Sequence, residues 1–187
     1  MRILTHEMLK NLTFGYINRV SFIKLNFLPP MIQEIDQLCA QADGRYATDS
    51  ELMFLQNYLK TTRLRFALYQ KLQQLEPHII KSVLARLKQE EPNALTVNGT
   101  DLTAKWQRDT VRLLRYAATA LLTDDAELFE DKMLRWFQSI MRSFKADRSC
   151  EVTYRVMQSV LREHLTPAEA ALFCPLIELS RVSVSST

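Results

Sequence analysis

The chain has 187 residues, a formal net charge of +3 from 24 basic and 21 acidic side chains, and 47% apolar residues. That length and composition suit one globular domain with a proper core, and the mixed charge excludes a nucleic-acid-binding stripe. Its three glycines, Gly15, Gly44 and Gly99, stand too far apart to build a phosphate-cradling loop, a dinucleotide fingerprint or a nucleophile elbow.

Residues 1–28 carry Arg2, Lys10, Arg19 and Lys24 against one acid, Glu7, with no single apolar period. They read as a loosely attached extension, dispensable to the fold. The alternatives are a basic targeting segment, although Asn11, Thr13 and Asn18 interrupt any signal-peptide core, or a start upstream of Met31, where the first convincing helix opens. Pro29-Pro30 marks the boundary of a domain expected over residues 29–182, because the pair cannot continue a helix but suits the first turn of a new one.

From there the helical period dominates. Ile32, Ile35, Leu38 and Cys39 share one face of a short helix ending at Gly44. Thr48-Asp49-Ser50-Glu51 is a capping box. Leu52, Leu55, Leu59, Leu68, Leu72 and Leu75 mark a long helix punctuated by Pro77, and Ile80, Val83, Leu84 and Leu87 mark the next. Residues 93–104, holding Asn98-Gly99, form the one sizeable loop. Leu114, Ala117, Ala118, Leu121 and Leu122 stripe a helix to about Thr123. Asp124-Asp125 then suit a helix N-terminus.

Met133, Phe137, Ile140, Met141 and Phe144 stripe another helix, and Val152, Val156 and Val160 form the seam of the one after. Thr166-Pro167-Ala168-Glu169 is a second capping box, opening a last helix bent or shortened by Pro175. Residues 183–187 are a polar, frayed tail. The expectation is an all-α chain of about eight helices. No apolar run reaches ~18 residues, so no transmembrane segment is expected.

Catalytic constellations are thin, and no catalytic role is expected. His6, His78 and His164 have no ligand-type neighbour three or four positions away, so no metal site is expected. No histidine lies in residues 124–147, where a haem globin needs one, which argues against haem. Cys39, Cys150 and Cys174 read as free thiols. The consecutive acids Glu90-Glu91, Asp124-Asp125 and Glu130-Asp131 diverge around a helix and read as end or solvated charges. Arg135, Arg142 and Lys145 line one helix side, either solvated or meeting an anionic partner.

The segment Lys105-Trp106-Gln107-Arg108-Asp109 opens the most apolar helix. Adjacent Arg108 and Asp109 point about 100° apart and so do not simply pair. On a core-facing helix they can serve a buried ligand, Asp109 accepting from N–H donors and Arg108 holding a carboxylate, with Trp106 stacked on a flat ring. Equally, Asp109 supports the helix start and Trp106 caps the core.

Two anchors resemble the phycobiliproteins, the globin-like family of allophycocyanin and phycocyanin. Residues 40–52, Ala-Gln-Ala-Asp-Gly-Arg-Tyr-Ala-Thr-Asp-Ser-Glu-Leu, resemble the family's A-D-x-x-G-R-[FY]-L-[ST]-x-x-E-[IL] junction between short dimerising helices and the globin body. Trp106-Gln107-Arg108-Asp109 with Leu113-Leu114-Arg115-Tyr116 resembles its C-x-R-D-x-x-x-[YF]-L-R-[YM] chromophore helix. The register runs without a gap through Ile140-Met141-Arg142-Ser143-Phe144 to Leu161, and the resemblance covers about residues 30–180.

The resemblance implies the family's globin-like eight-helix fold with short N-terminal helices before the globin body. It also implies a bilin, phycocyanobilin or a related linear tetrapyrrole, whose pyrrole nitrogens meet Asp109 and whose propionate meets Arg108, with Phe144 as a pocket aromatic. Trp106 replaces the attachment cysteine, so a bilin is held noncovalently. Cys150 falls near a pocket aromatic of the family and is a candidate for unorthodox attachment. The loop before the chromophore helix is shorter than the family's.

Arg115 matches an arginine that pairs with an acid on a partner's first helix, where this chain has Gln41. Lys132 and Glu151 stand where many members carry aromatics. The implied role is phycobilisome-related light harvesting or bilin supply. The implied location is cytoplasmic, peripheral to the thylakoid through phycobilisome association. The implied partners are another phycobiliprotein-like subunit or a bilin-biosynthesis enzyme. The alternative is a bilin-free structural partner of the same components.

Overall fold

The structure, a computed structural model, describes residues 30–97, 99–144 and 146–185. The extension expected over residues 1–28 lies outside them, as do Asn98, Lys145 and the last two positions of the expected tail. The chain divides into two units, residues 1–54 and 55–187.

In the first unit, helix α1 (Pro30–Gln41) carries Ile32 and Ile35 at 42% and 37% exposure. Gly44 follows with φ +73°, a left-handed position that glycine takes at no steric cost. The capping box then forms reciprocally. The Thr48 amide donates to Glu51 Oε2 at 2.8 Å and the Glu51 amide to Thr48 Oγ1 at 3.4 Å. Arg45 grips the same carboxylate at 2.9 and 2.7 Å. The Arg45 hydrogen bond, then the Thr48 amide, hold Glu51 down at about 2.

Helix α2 (Met53–Glu90) gives its first two residues to the first unit and the rest to the second. It runs unbroken through Pro77, where the sequence predicts a break. An interior proline removes a hydrogen bond at a cost of about 3 kcal/mol. Pro77 and Gln73, whose carbonyl loses that bond, both lie at exposed positions, on the solvent side of the helix. The buried stripe Leu68, Leu72, Ile79, Val83, Leu87 keeps its period across the proline, and its burial offsets the loss.

After a two-residue antiparallel hairpin, β1 (Thr96–Val97) with β2 (Thr100–Asp101), comes α3 (Thr103–Thr123). The hairpin departs from the plain loop expected there. Gly99, at φ +76°, turns it. Asp101 Oδ1 accepts from the Thr103 amide at 2.8 Å and starts α3. At the other end Asp124 takes φ +54°, and Arg65 braces the turn, donating to the Leu121 carbonyl at 2.7 Å and pairing with Asp124 at 2.8 Å.

Asp125 caps α4 (Ala126–Phe129) by accepting from the Leu128 amide at 2.8 Å. A π-helical turn (Glu130–Leu134) leads into α5 (Arg135–Ser143), and α6 (Asp147–His164) and α7 (Pro167–Ser185) follow. Taking residues 126–143 as one, six helices stand among the described residues where eight are expected. Pro77 does not divide α2, and the most N-terminal segment lies outside the description. Nor does Pro175 shorten α7. Pro175 and Ala171 face solvent, and the helix continues to Ser185 with Val184 fully buried, inside the span expected to fray.

The core of the second unit gathers the predicted stripes. Leu113, Val152, Val160, Phe173 and Ile177 are all fully buried. The second capping box forms as read, with the Thr166 amide on Glu169 Oε2 at 2.8 Å and Lys71 on the same oxygen at 2.7 Å. No helix of the described residues is long and apolar enough to cross a membrane.

Candidate functional site

The N-terminal half of α3, the hairpin segment, the end of α5 and the first turns of α6 surround a cavity of about 280 Å³. Its floor is buried. Phe137, Met141 and Tyr154 supply apolar surface, Thr110 and Thr153 hydroxyls, and Cys150 a thiol. Asn93, Thr96, Phe144 and Arg148 are exposed and form the mouth. Leu95 and Leu102, before α3, close one side, so the short loop still supplies a wall.

Of the residues predicted for a ligand, Trp106, Asp109, Phe144 and Cys150 all line this cavity. Trp106 donates its indole N–H to Thr153 Oγ1 at 3.0 Å and packs on the core. That bond uses the single donor of the ring, so toward the cavity Trp106 offers only π surface. The Asp109 side chain, 25% exposed, takes no hydrogen bond from the protein among the described residues; its nearest cation is Arg108, Nε at 3.7 Å. A lining carboxylate with open acceptor positions suits N–H donors.

Arg108 itself is elsewhere. Its side chain is 75% exposed and borders a shallow outer groove with Arg112, Arg115 and Tyr116. Neighbouring helical positions differ by about 100°, so with Asp109 turned inward Arg108 faces out and reaches back only weakly. Two cations line the cavity, and the one on this helix is Lys105, one helical turn before Asp109, with Nζ 3.8 Å from the centroid of the Phe144 ring. Its spacing from Asp109, four residues on one helix, was the available signal. Arg148, also lining, is committed to Glu91 at 2.6 Å and Glu151 at 3.0 Å.

Burial favours the neutral forms of the Cys150 thiol and the Tyr154 phenol. Burial first, then the negative charges of Asp147 and Asp109, push the Cys150 thiol up to about 12. A thioether needs the thiolate as nucleophile, so attachment at Cys150 is disfavoured at neutral pH. Burial likewise pushes the Tyr154 phenol well above its ordinary value, with Cys150 and Asp109 adding to it.

Arg115, expected at a subunit contact, has a partner within the chain. Arg115 makes a two-point pair inside the chain, Nη2 to Glu76 Oε1 at 2.7 Å and Nε to Oε2 at 2.8 Å, because Glu76 on α2 lies opposite it. The acids read as solvated are paired as well: Glu90 meets Arg155 at 2.7 Å and Glu91 meets Arg148. His78 and His164, with no ligand-type neighbours in sequence, meet edge to face with centroids 4.8 Å apart. Among the described residues no group of three or more histidine, cysteine or acidic side chains is placed to hold a metal.

A sequence model of the family described as phycobilisome protein matches residues 36–182. Allophycocyanin subunit beta-18 of Aglaothamnion neglectum is 23% identical over 128 residues, covering 66% of this chain and 75% of that protein. The family match spans both anchors, on either side of α2. The chain belongs to the phycobilisome protein family.

Proposed function

We propose that the cavity binds a linear tetrapyrrole, phycocyanobilin or a related bilin, without a covalent link and without catalysing a reaction on it. The observation that carries this reading is the Asp109 carboxylate, lining the cavity on the family's chromophore helix with its acceptor positions open. Asp109 accepts from pyrrole N–H groups, Lys105 holds a propionate, and Trp106 and Phe144 flank the rings. Arg108 is left to the outer surface. Lacking a thioether, such a protein exchanges its ligand, which favours bilin supply over a permanent antenna pigment. That role places it in the cytoplasm, beside a bilin-biosynthesis enzyme or a phycobiliprotein-like subunit at the thylakoid.

A second reading keeps the family's assembly role and discards the pigment. It is favoured by Trp106, tied to Thr153 at the attachment position. Titration with phycocyanobilin and biliverdin separates the two. A saturable, red-shifted absorbance band that denaturation abolishes supports binding, whereas a spectrum identical to free bilin at every ratio overturns it. Asp109→Ala is expected to weaken binding about tenfold or more, the usual worth of a charge-assisted hydrogen bond.

A further inference from the structure

The cavity's size and its polar inventory both describe half of a linear tetrapyrrole. A volume of about 280 Å³ falls below the range of roughly 300–1,000 Å³ typical for drug-sized ligands, and a four-ring chain is larger than those. Its floor is set by buried side chains, Tyr154 and Phe137 at 2% and 4% exposed, and Trp106 is tied to Thr153 on the neighbouring helix.

The polar groups agree with the volume. A linear tetrapyrrole carries four nitrogen-bearing rings and two propionates. The cavity presents one carboxylate with open acceptor positions, Asp109, enough for the N–H groups of two adjacent rings. For a propionate it presents Lys105, whose ammonium rests on the Phe144 ring at the mouth. Arg148, the other lining cation, already serves two glutamates.

We infer that the unit this cavity recognises is a two-ring, one-carboxylate half of the tetrapyrrole, and that the other half stays outside the mouth. The inference rests on the tetrapyrrole reading above. It makes the protein a one-ended holder: the outer half remains within reach of a second protein while the inner half is still bound. The bound propionate exchanges the Lys105–Phe144 contact for an ion pair, so esterifying it removes the stronger of the two interactions.

The test compares three probes on the full chain, followed by calorimetry and quenching of tryptophan emission: biliverdin, a dipyrrinone bearing one propionate, and the methyl ester of that dipyrrinone. The half-molecule is expected to bind within about tenfold of biliverdin, and the ester about tenfold or more weaker than the acid. Lys105→Met is expected to erase the difference between acid and ester. The ester needs no change to the protein, so a folding defect in the variant does not blunt the test. Tight biliverdin binding with a half-molecule about a hundredfold weaker overturns the inference and leaves the tetrapyrrole reading standing. Failure of both pigments to bind overturns the two together.

Discussion

The two faces of the first turns of α3 make an instructive pair. Inward, Lys105, Trp106 and Asp109 line a cavity whose polar groups are held ready and only partly satisfied. Outward, Arg108, Arg112 and Arg115 border a groove in which cations are already engaged, Arg115 by Glu76 and Arg112 by the Trp136 ring, 5.3 Å from its centroid. One motif therefore feeds two surfaces. An arginine and an aspartate adjacent in sequence need not share a ligand, because the helix separates them by more than a quarter turn.

The widest contrast between inside and outside lies in thiol chemistry. Iodoacetamide at pH 8 is expected to modify exposed Cys39 orders of magnitude faster than Cys150, with peptide mass spectrometry following each site. The sign is fixed by the thiol's displacement. With its ionisation pushed up to about 12, Cys150 stays protonated until strongly alkaline pH or unfolding frees it. Rapid labelling of Cys150 in the native protein would show a reactive thiol and favour attachment there.

Next in size is the packing beneath the cavity face. Leu113→Ala, at a fully buried position, is expected to cost about 2–5 kcal/mol in urea unfolding. Thr153→Val leaves the Trp106 indole without its acceptor and is expected to cost about 1 kcal/mol while shifting tryptophan emission. Smallest is the outer face: Arg115→Gln breaks an exposed pair and should change stability by less than about 1 kcal/mol. If the outer change rivals Leu113→Ala, the distinction between the two faces fails.

Much of the architecture was legible because it is local. Apolar stripes on α2, α3, α6 and α7 and both capping boxes announce themselves within a few residues, and the family register carries from one to the next. Pro77 misleads because a proline's effect depends on whether its orphaned carbonyl reaches water, which is a property of the packed helix. Arg115 with Glu76, Trp106 with Thr153, and His78 with His164 are partners 39, 47 and 86 positions apart, which only tertiary structure brings together. Arg108 is different. Its angle of about 100° from Asp109 was legible, but a core-facing helix was expected to bring both to one ligand, and only the packing shows which of the two turns inward.

The π-helical turn at Glu130–Leu134 sets the phase of everything after it. Phe129 and Leu134, five positions apart, are both buried, a step that a regular α-helix would spend turning one of them toward water. The extra residue acts as a gear tooth. Downstream of it, Phe137 and Met141 arrive at the cavity floor instead of rotating about 100° past it. The depth of the cavity is therefore encoded partly in a count of residues lying outside it, so changes of length there are felt as changes of shape within.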